Sequence, residues 1–123
     1  MIGVKNKKQS QSSNDNTIPT PVDTIPSFNL QDGQGGIYGK VTERNINSDE
    51  VRNIRDVNIT VFDENTLVAF NLTSDEGIYI FDAINAPKSY TIEFRKDVVL
   101  TKEFTIASKE IKEINIEFLV NNF

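Results

Sequence analysis

Between residues 37 and 120 the chain repeats one device, a short run of alternating apolar and polar residues closed by a polar corner. Alternation with period two puts every second side chain on the same side of a strand, so each run predicts a strand with one buried face. The clearest case is Thr73-Ser74-Asp75-Glu76-Gly77, a polar glycine turn that opens directly into Ile78-Tyr79-Ile80-Phe81. Ile37 and Val41 flank Gly39 in a first strand, and the polar stretch 43–53 leads on to Val57, Ile59 and Val61, which alternate with Asn58 and Thr60. Asp63-Glu64-Asn65 leads into 67–72, and Asn85-Ala86-Pro87-Lys88 into Tyr90, Ile92 and Phe94. Residues 98–106 and the set Ile114, Ile116, Phe118 and Val120 close the series. One helical turn at 108–112 is conceivable, but the strand pattern prevails elsewhere. About seven strands with short turns predict a single all-β domain, a Greek-key β-sandwich.

Residues 1–36 read differently. They are rich in Ser, Asn, Gln and Thr, with Pro19, Pro21 and Pro26 spaced through them. Such a composition buries too little apolar surface to offset its ordering entropy, so 1–36 is expected to be an extended or flexible N-terminal arm and 37–123 the sandwich. Ile18, Val22, Ile25, Phe28 and Leu30 interrupt the arm as apolar anchor points for contact with another surface. Gly33, Gly35 and Gly36 suggest a hinge between arm and domain.

Composition removes many chemistries. The 123 residues contain no Cys and no His, which excludes thiolate chemistry and the commonest general base and metal ligand. A net charge of −5 argues against nucleic acid as a partner, since phosphate binding needs a basic stripe. No run approaches the roughly 20 apolar residues of a membrane-spanning helix, so no membrane insertion is expected. Lys5, Lys7 and Lys8 are followed by polar residues rather than the apolar run of a secretory signal, so the chain is expected to be made in the cytoplasm and kept or assembled there.

Acidic residues gather at the corners, as Asp63, Glu64, Asp75, Glu76 and Asp82, but without the spacing of a calcium loop, so no metal is expected. No histidine activates a serine, and no glycine-rich phosphate loop is present, so neither a catalytic residue nor a cofactor is assigned. Lys40 and Asn115 are the candidates for a Lys–Asn cross-link between the first and last strands. Alternation directs both toward solvent, whereas that chemistry needs a buried trio.

Four segments carry a resemblance. Gly36-Ile37-Tyr38-Gly39-Lys40-Val41-Thr42 looks like a Gly-x-Val-Thr opening strand, and Asp56-Val57-Asn58-Ile59-Thr60-Val61 like a second strand that usually begins with Gly. The segment from Thr73 to Phe81 is similar to a Thr-Asp-x-x-Gly-x-Tyr-x-Phe turn, and Ala86-Pro87-Lys88-Ser89-Tyr90-Thr91-Ile92 to a Pro-x-Gly-x-Tyr-x-Ile corner lacking its Gly. Together they resemble carboxypeptidase regulatory-like domains, whose sandwich is transthyretin-like (prealbumin-like). The resemblance implies that Tyr79 and Phe81 point inward, and that the role is non-enzymatic, as in appended modules, surface stalks, receptor plugs and virion proteins.

Several apolar residues then fall on the wrong side for one buried face. Ile78 and Ile80 oppose Tyr79 and Phe81, Phe62 opposes Val57, Ile59 and Val61, and 67–72 is apolar almost throughout. An outer apolar patch of this kind favours a partner, and an open sheet edge offers a second route to one. The expected function is a structural docking subunit of a multi-copy assembly, most simply a bacteriophage virion accessory protein of capsid, collar or tail. Its partners are other structural proteins of that assembly, met through the arm anchors and Phe62, Ile78 and Ile80. The alternative is a cell-envelope or surface adhesion module that binds protein or carbohydrate.

Overall fold

One long strand, β1 (Gln34–Asn45), is paired along both of its edges and organises half of the fold. In the computed structural model, which describes residues 19–123, one edge carries β5 (Ile78–Asn85) and then β2 (Val51–Asn53), both antiparallel. The other carries β8 (Ile111–Glu113) and then β9 (Ile116–Val120), both parallel. These five strands form the first sheet. The second is antiparallel, in the order β4 (Thr66–Leu72), β3 (Asn58–Asp63), β6 (Lys88–Arg95), β7 (Val99–Ile106). The two sheets make an all-β sandwich. The described residues hold two more strands than the sequence suggests, because β2 forms inside the stretch 43–53 and β8 forms at 111–113. β8 overlaps the stretch where a helical turn is conceivable, and pairs with β1 instead.

The core lies where the alternating faces meet. Ile37 and Val41 of β1, Ile59 and Val61 of β3, and Ile92 and Phe94 of β6 are fully buried. Tyr79 and Phe81 point inward, and the Tyr79 ring meets Phe81 and Phe94 edge-on at 5.8 and 5.7 Å. Its hydroxyl donates to the Ile114 carbonyl at 2.7 Å, which satisfies a polar group inside the core. The same Ile114 carbonyl lies so close to Gly39 that any Cβ there would overlap it. Beyond this point the Asn115 side chain replaces a ladder carbonyl, its Oδ1 accepting the Lys40 N–H at 2.8 Å. Asn115 and Lys40 are therefore half-buried rather than turned to solvent as alternation suggests.

The corner before β5 forms as the sequence predicts. Gly77 takes a φ of 78°, and its N–H donates to the Ser74 carbonyl at 2.9 Å. Buried Thr73 ties this corner to the start of β3, accepting the Val57 N–H at 3.0 Å and donating to the Ile54 carbonyl at 2.6 Å. Asp56, just before this strand, adopts the left-handed conformation, with a φ of 62°. At one end of the core, buried Glu43 reaches Lys96 Nζ at 2.7 Å and Arg52 Nε at 3.0 Å. Burial alone would raise its pKa, but the two cations outweigh it and hold the carboxyl below its ordinary range.

Gly35 and Gly36 do not form a hinge. Both are buried in β1, where their missing side chains make room for Ile106 and for the ring of Phe28. The turn into β1 belongs to Gly33 alone, at a φ of 85°.

Candidate docking surface

The two sheets turn very different outer faces to their surroundings. On the first, register places Gly36 beside Ile111, and Tyr38 between Ile80 and Glu113. The segment before β1 lies across this face. Phe28 sits on Gly36 and meets the Tyr38 ring at 6.2 Å, leaving Tyr38 only 4 % exposed. The Val22 N–H donates to Glu113 Oε2 at 2.9 Å, and the Tyr38 hydroxyl donates to Glu113 Oε1 at 3.2 Å. Asn115 Nδ2 also donates to Glu113 at 2.9 Å. The Val22 and Asn115 bonds, with Tyr38 after them, hold the Glu113 carboxyl below its ordinary range. Tyr38 shifts upward, through burial first and then through its bond to Glu113.

On the second sheet, cross-strand partners define three rows running outward from β4. They are Leu67–Phe62–Thr91, Phe70–Thr60–Glu93 and Leu72–Asn58–Arg95. Toward β6 and β7 this face is polar, with Glu93 and Arg95 paired at 3.2 Å. Toward β4 it is apolar and bare. Leu67 is 58 % exposed, Phe70 55 %, and Val68 and Leu72 43 % each. Val68 falls at a register shift between Val61 and Phe62, so it stands outside the alternation.

β4 is the end strand of its sheet, and among the described strands it pairs with β3 alone. Its sequence, TLVAFNL, contains no charge and no proline. Of the devices that blunt sheet edges, β4 has no Lys, Pro or inward charge and carries only the bulge at Val68. Charge begins only at its ends. Asp63 pairs with Lys88 at 3.0 Å, and Asp75 with Arg55 at 3.0 Å, while Glu64 and Glu76 have no salt-bridge partner among the described residues. On its inner side β4 packs against β5, and Asn71 Nδ2 donates to the Ile80 carbonyl at 2.8 Å. The arrangement is an apolar strip, bounded by carboxylates, along an edge with no backbone ladder of its own among the described residues. It suits an extended partner strand with apolar side chains.

The residues singled out from sequence are distributed over both faces. Ile18 lies outside the described residues. Val22, Phe28 and Leu30 are half-buried, and the backbone of Val22 and the ring of Phe28 contact the chain's own first sheet. Ile25 is 65 % exposed. Phe62 is half-buried next to Leu67, and Ile78 and Ile80 are half-buried on the covered face. Leu67, Val68, Phe70 and Leu72 were not singled out as contact residues. Their signal was an apolar run without charge between two acidic corners.

The acidic corners do not converge. No group of three or more potential ligands comes together among the described residues. Nor is any described helix long and apolar enough to cross a membrane. No protein-family profile matches the chain, and no curated protein matches it in sequence. Among solved structures it is similar to the Bacillus anthracis TIE protein, with a TM-score of 0.48 and 19 % identity. That match covers 73 % of this chain and 16 % of the other.

Proposed function

We propose that this chain is a non-enzymatic docking subunit of a larger multi-copy assembly, built on a Greek-key sandwich of the carboxypeptidase regulatory-like kind. The observation that carries this reading is the uncharged end strand β4, with Leu67, Phe70 and Leu72 exposed on one face of it. Each large apolar side chain contributes roughly 1.5–3 kcal/mol when fully buried, so a partner strand covering this strip gains both apolar contact and backbone hydrogen bonds. The assembly we name is a bacteriophage virion, where the chain would meet other structural proteins in many copies.

The test compares incorporation of the full-length chain and its Phe70→Lys variant into particles purified by sedimentation. A fall of about tenfold or more, equivalent to about 1.4 kcal/mol, is expected for Phe70→Lys. Thr101→Lys, at the polar end of the same face, should incorporate normally. Equal incorporation of wild type and Phe70→Lys would refute the docking role of β4.

One observation favours the adhesion reading as a second possibility. A shallow depression of about 530 Å³ between β6 and β7 brings Glu64 and Glu103 together with Tyr90, Phe104 and the hydroxyls of Ser89 and Thr105. Tyr90 and Phe104 stack on each other on the core side of the sheet, so the outward lining is Glu64, Ser89, Thr91, Glu103 and Thr105. Their carboxylates and hydroxyls suit a polar, hydroxylated ligand such as a saccharide. Saturable binding of oligosaccharides, lost in Glu103→Ala but retained in Phe70→Lys, would favour that reading over the virion one.

A further inference from the structure

The charges around β4 narrow the choice of occupant. Pairing β4 with the β4 of a second copy in antiparallel fashion would bring Glu64 of one molecule toward the Asp75 and Glu76 end of the other. Like charges set opposite each other destabilise such a pair. The strip instead calls for an extended segment whose apolar residues alternate and whose flank is basic. One segment of this sequence has that chemistry. Residues 1–8, Met-Ile-Gly-Val-Lys-Asn-Lys-Lys, place Ile2 and Val4 at alternate positions and follow them with Lys5, Lys7 and Lys8.

The charge is also divided along the chain. Residues 1–18 hold three Lys and one Asp, a net +2, so the whole-chain charge of −5 leaves −7 on residues 19–123. We infer that β4 of one copy receives residues 1–8 of a second copy as an added strand, with the lysines set against Glu64 or Glu76. This rests on the docking reading above and specifies its occupant.

A second copy fits better than the chain's own residues 1–8. Val22 is held at Glu113 on β8, and β1 separates β8 from β5, the strand of the first sheet that packs beside β4. Val22 therefore lies on the side of the molecule away from β4. To reach β4 the chain's own residues 1–8 would have to cross back over the first sheet, as those of a second copy need not. Donation between copies is also heterologous, because each donor keeps its own β4 available for the next. Contacts of that kind build rings or filaments rather than closed pairs, as a multi-copy assembly requires.

The absence of Cys permits a direct test on the full chain. Val4→Cys and Val68→Cys proteins are prepared separately, mixed in equal amounts and oxidised, with Val4→Cys mixed with Thr101→Cys as the control. The Val4–Val68 pair should cross-link between molecules at least about tenfold faster than the control, because docking raises the local thiol concentration. Equal rates would overturn the inference. So would a double variant, Val4→Cys with Val68→Cys, that closes only within one molecule at every concentration. If cross-linking fails while Phe70→Lys still impairs incorporation, β4 docks something other than residues 1–8 and the broader reading stands.

Discussion

The outer faces of the two sheets begin with the same problem and resolve it differently. Each carries apolar side chains opposite those of the core. On the first sheet, Tyr38 lies under Phe28, with the segment before β1 fixed to Glu113, so the chain itself covers the middle of the face. Ile111 and Leu119 at its β8–β9 margin remain 42 % and 49 % exposed. On the second, Leu67, Phe70 and Leu72 stay bare beside an unpaired strand edge. An outward apolar residue is therefore not by itself a contact site. What distinguishes the two faces is whether the same chain supplies a cover.

Substitutions that disturb the covered face should affect the stability of the free chain, and those on the bare face should not. The largest effect is expected for Gly36→Val, whose added side chain overlaps the Phe28 ring. Overpacking of this kind costs roughly 1–3 kcal/mol, read as a shift in the urea midpoint. Phe28→Ala removes the cover without a clash, and should cost about 1–2 kcal/mol because the ring is only half-buried. If it costs nothing, the cover is not a stabilising part of the fold.

Acid should loosen the same contact. The Glu113 pKa is depressed in the folded state by the Val22 and Asn115 bonds, so its contribution is present above the unfolded value and is lost as pH falls through the folded one. The Val22 amide resonance should therefore titrate with a midpoint below the ordinary carboxylate range, and Glu113→Gln should abolish that titration. The smallest effect is expected on the bare face. Phe70→Ser should change the stability of the free chain by about 0.5 kcal/mol or less, since only its pairing with Thr60 is lost. A cost as large as that of Phe28→Ala would remove the contrast between the faces.

Much of this fold was legible in the sequence, because alternation in β6 is strict, that in β3 fails only at Phe62, and the Gly77 corner has one conformational solution. Three features were not legible. Gly35 and Gly36 look like a hinge until Ile106 and Phe28 are seen to fill the space above them, a long-range fact that no local pattern carries. Asn115 breaks its alternation because a side-chain oxygen takes over a ladder bond. In β4 the register shift at Val68 disrupts period two, so parity cannot show which of Leu67, Val68 and Phe70 share a face. The candidate surface was thus visible in composition, as an uncharged apolar run, but not in geometry.

Amide hydrogen exchange, compared between the free full-length chain and the same chain within its assembly, would decide between the faces. Exchange in residues 66–72 should slow by about tenfold or more on assembly, while that of Val22 and Tyr38 stays unchanged. Slowing at Val22 and Phe28 with no change in 66–72 would contradict this view and assign docking to the covered face instead.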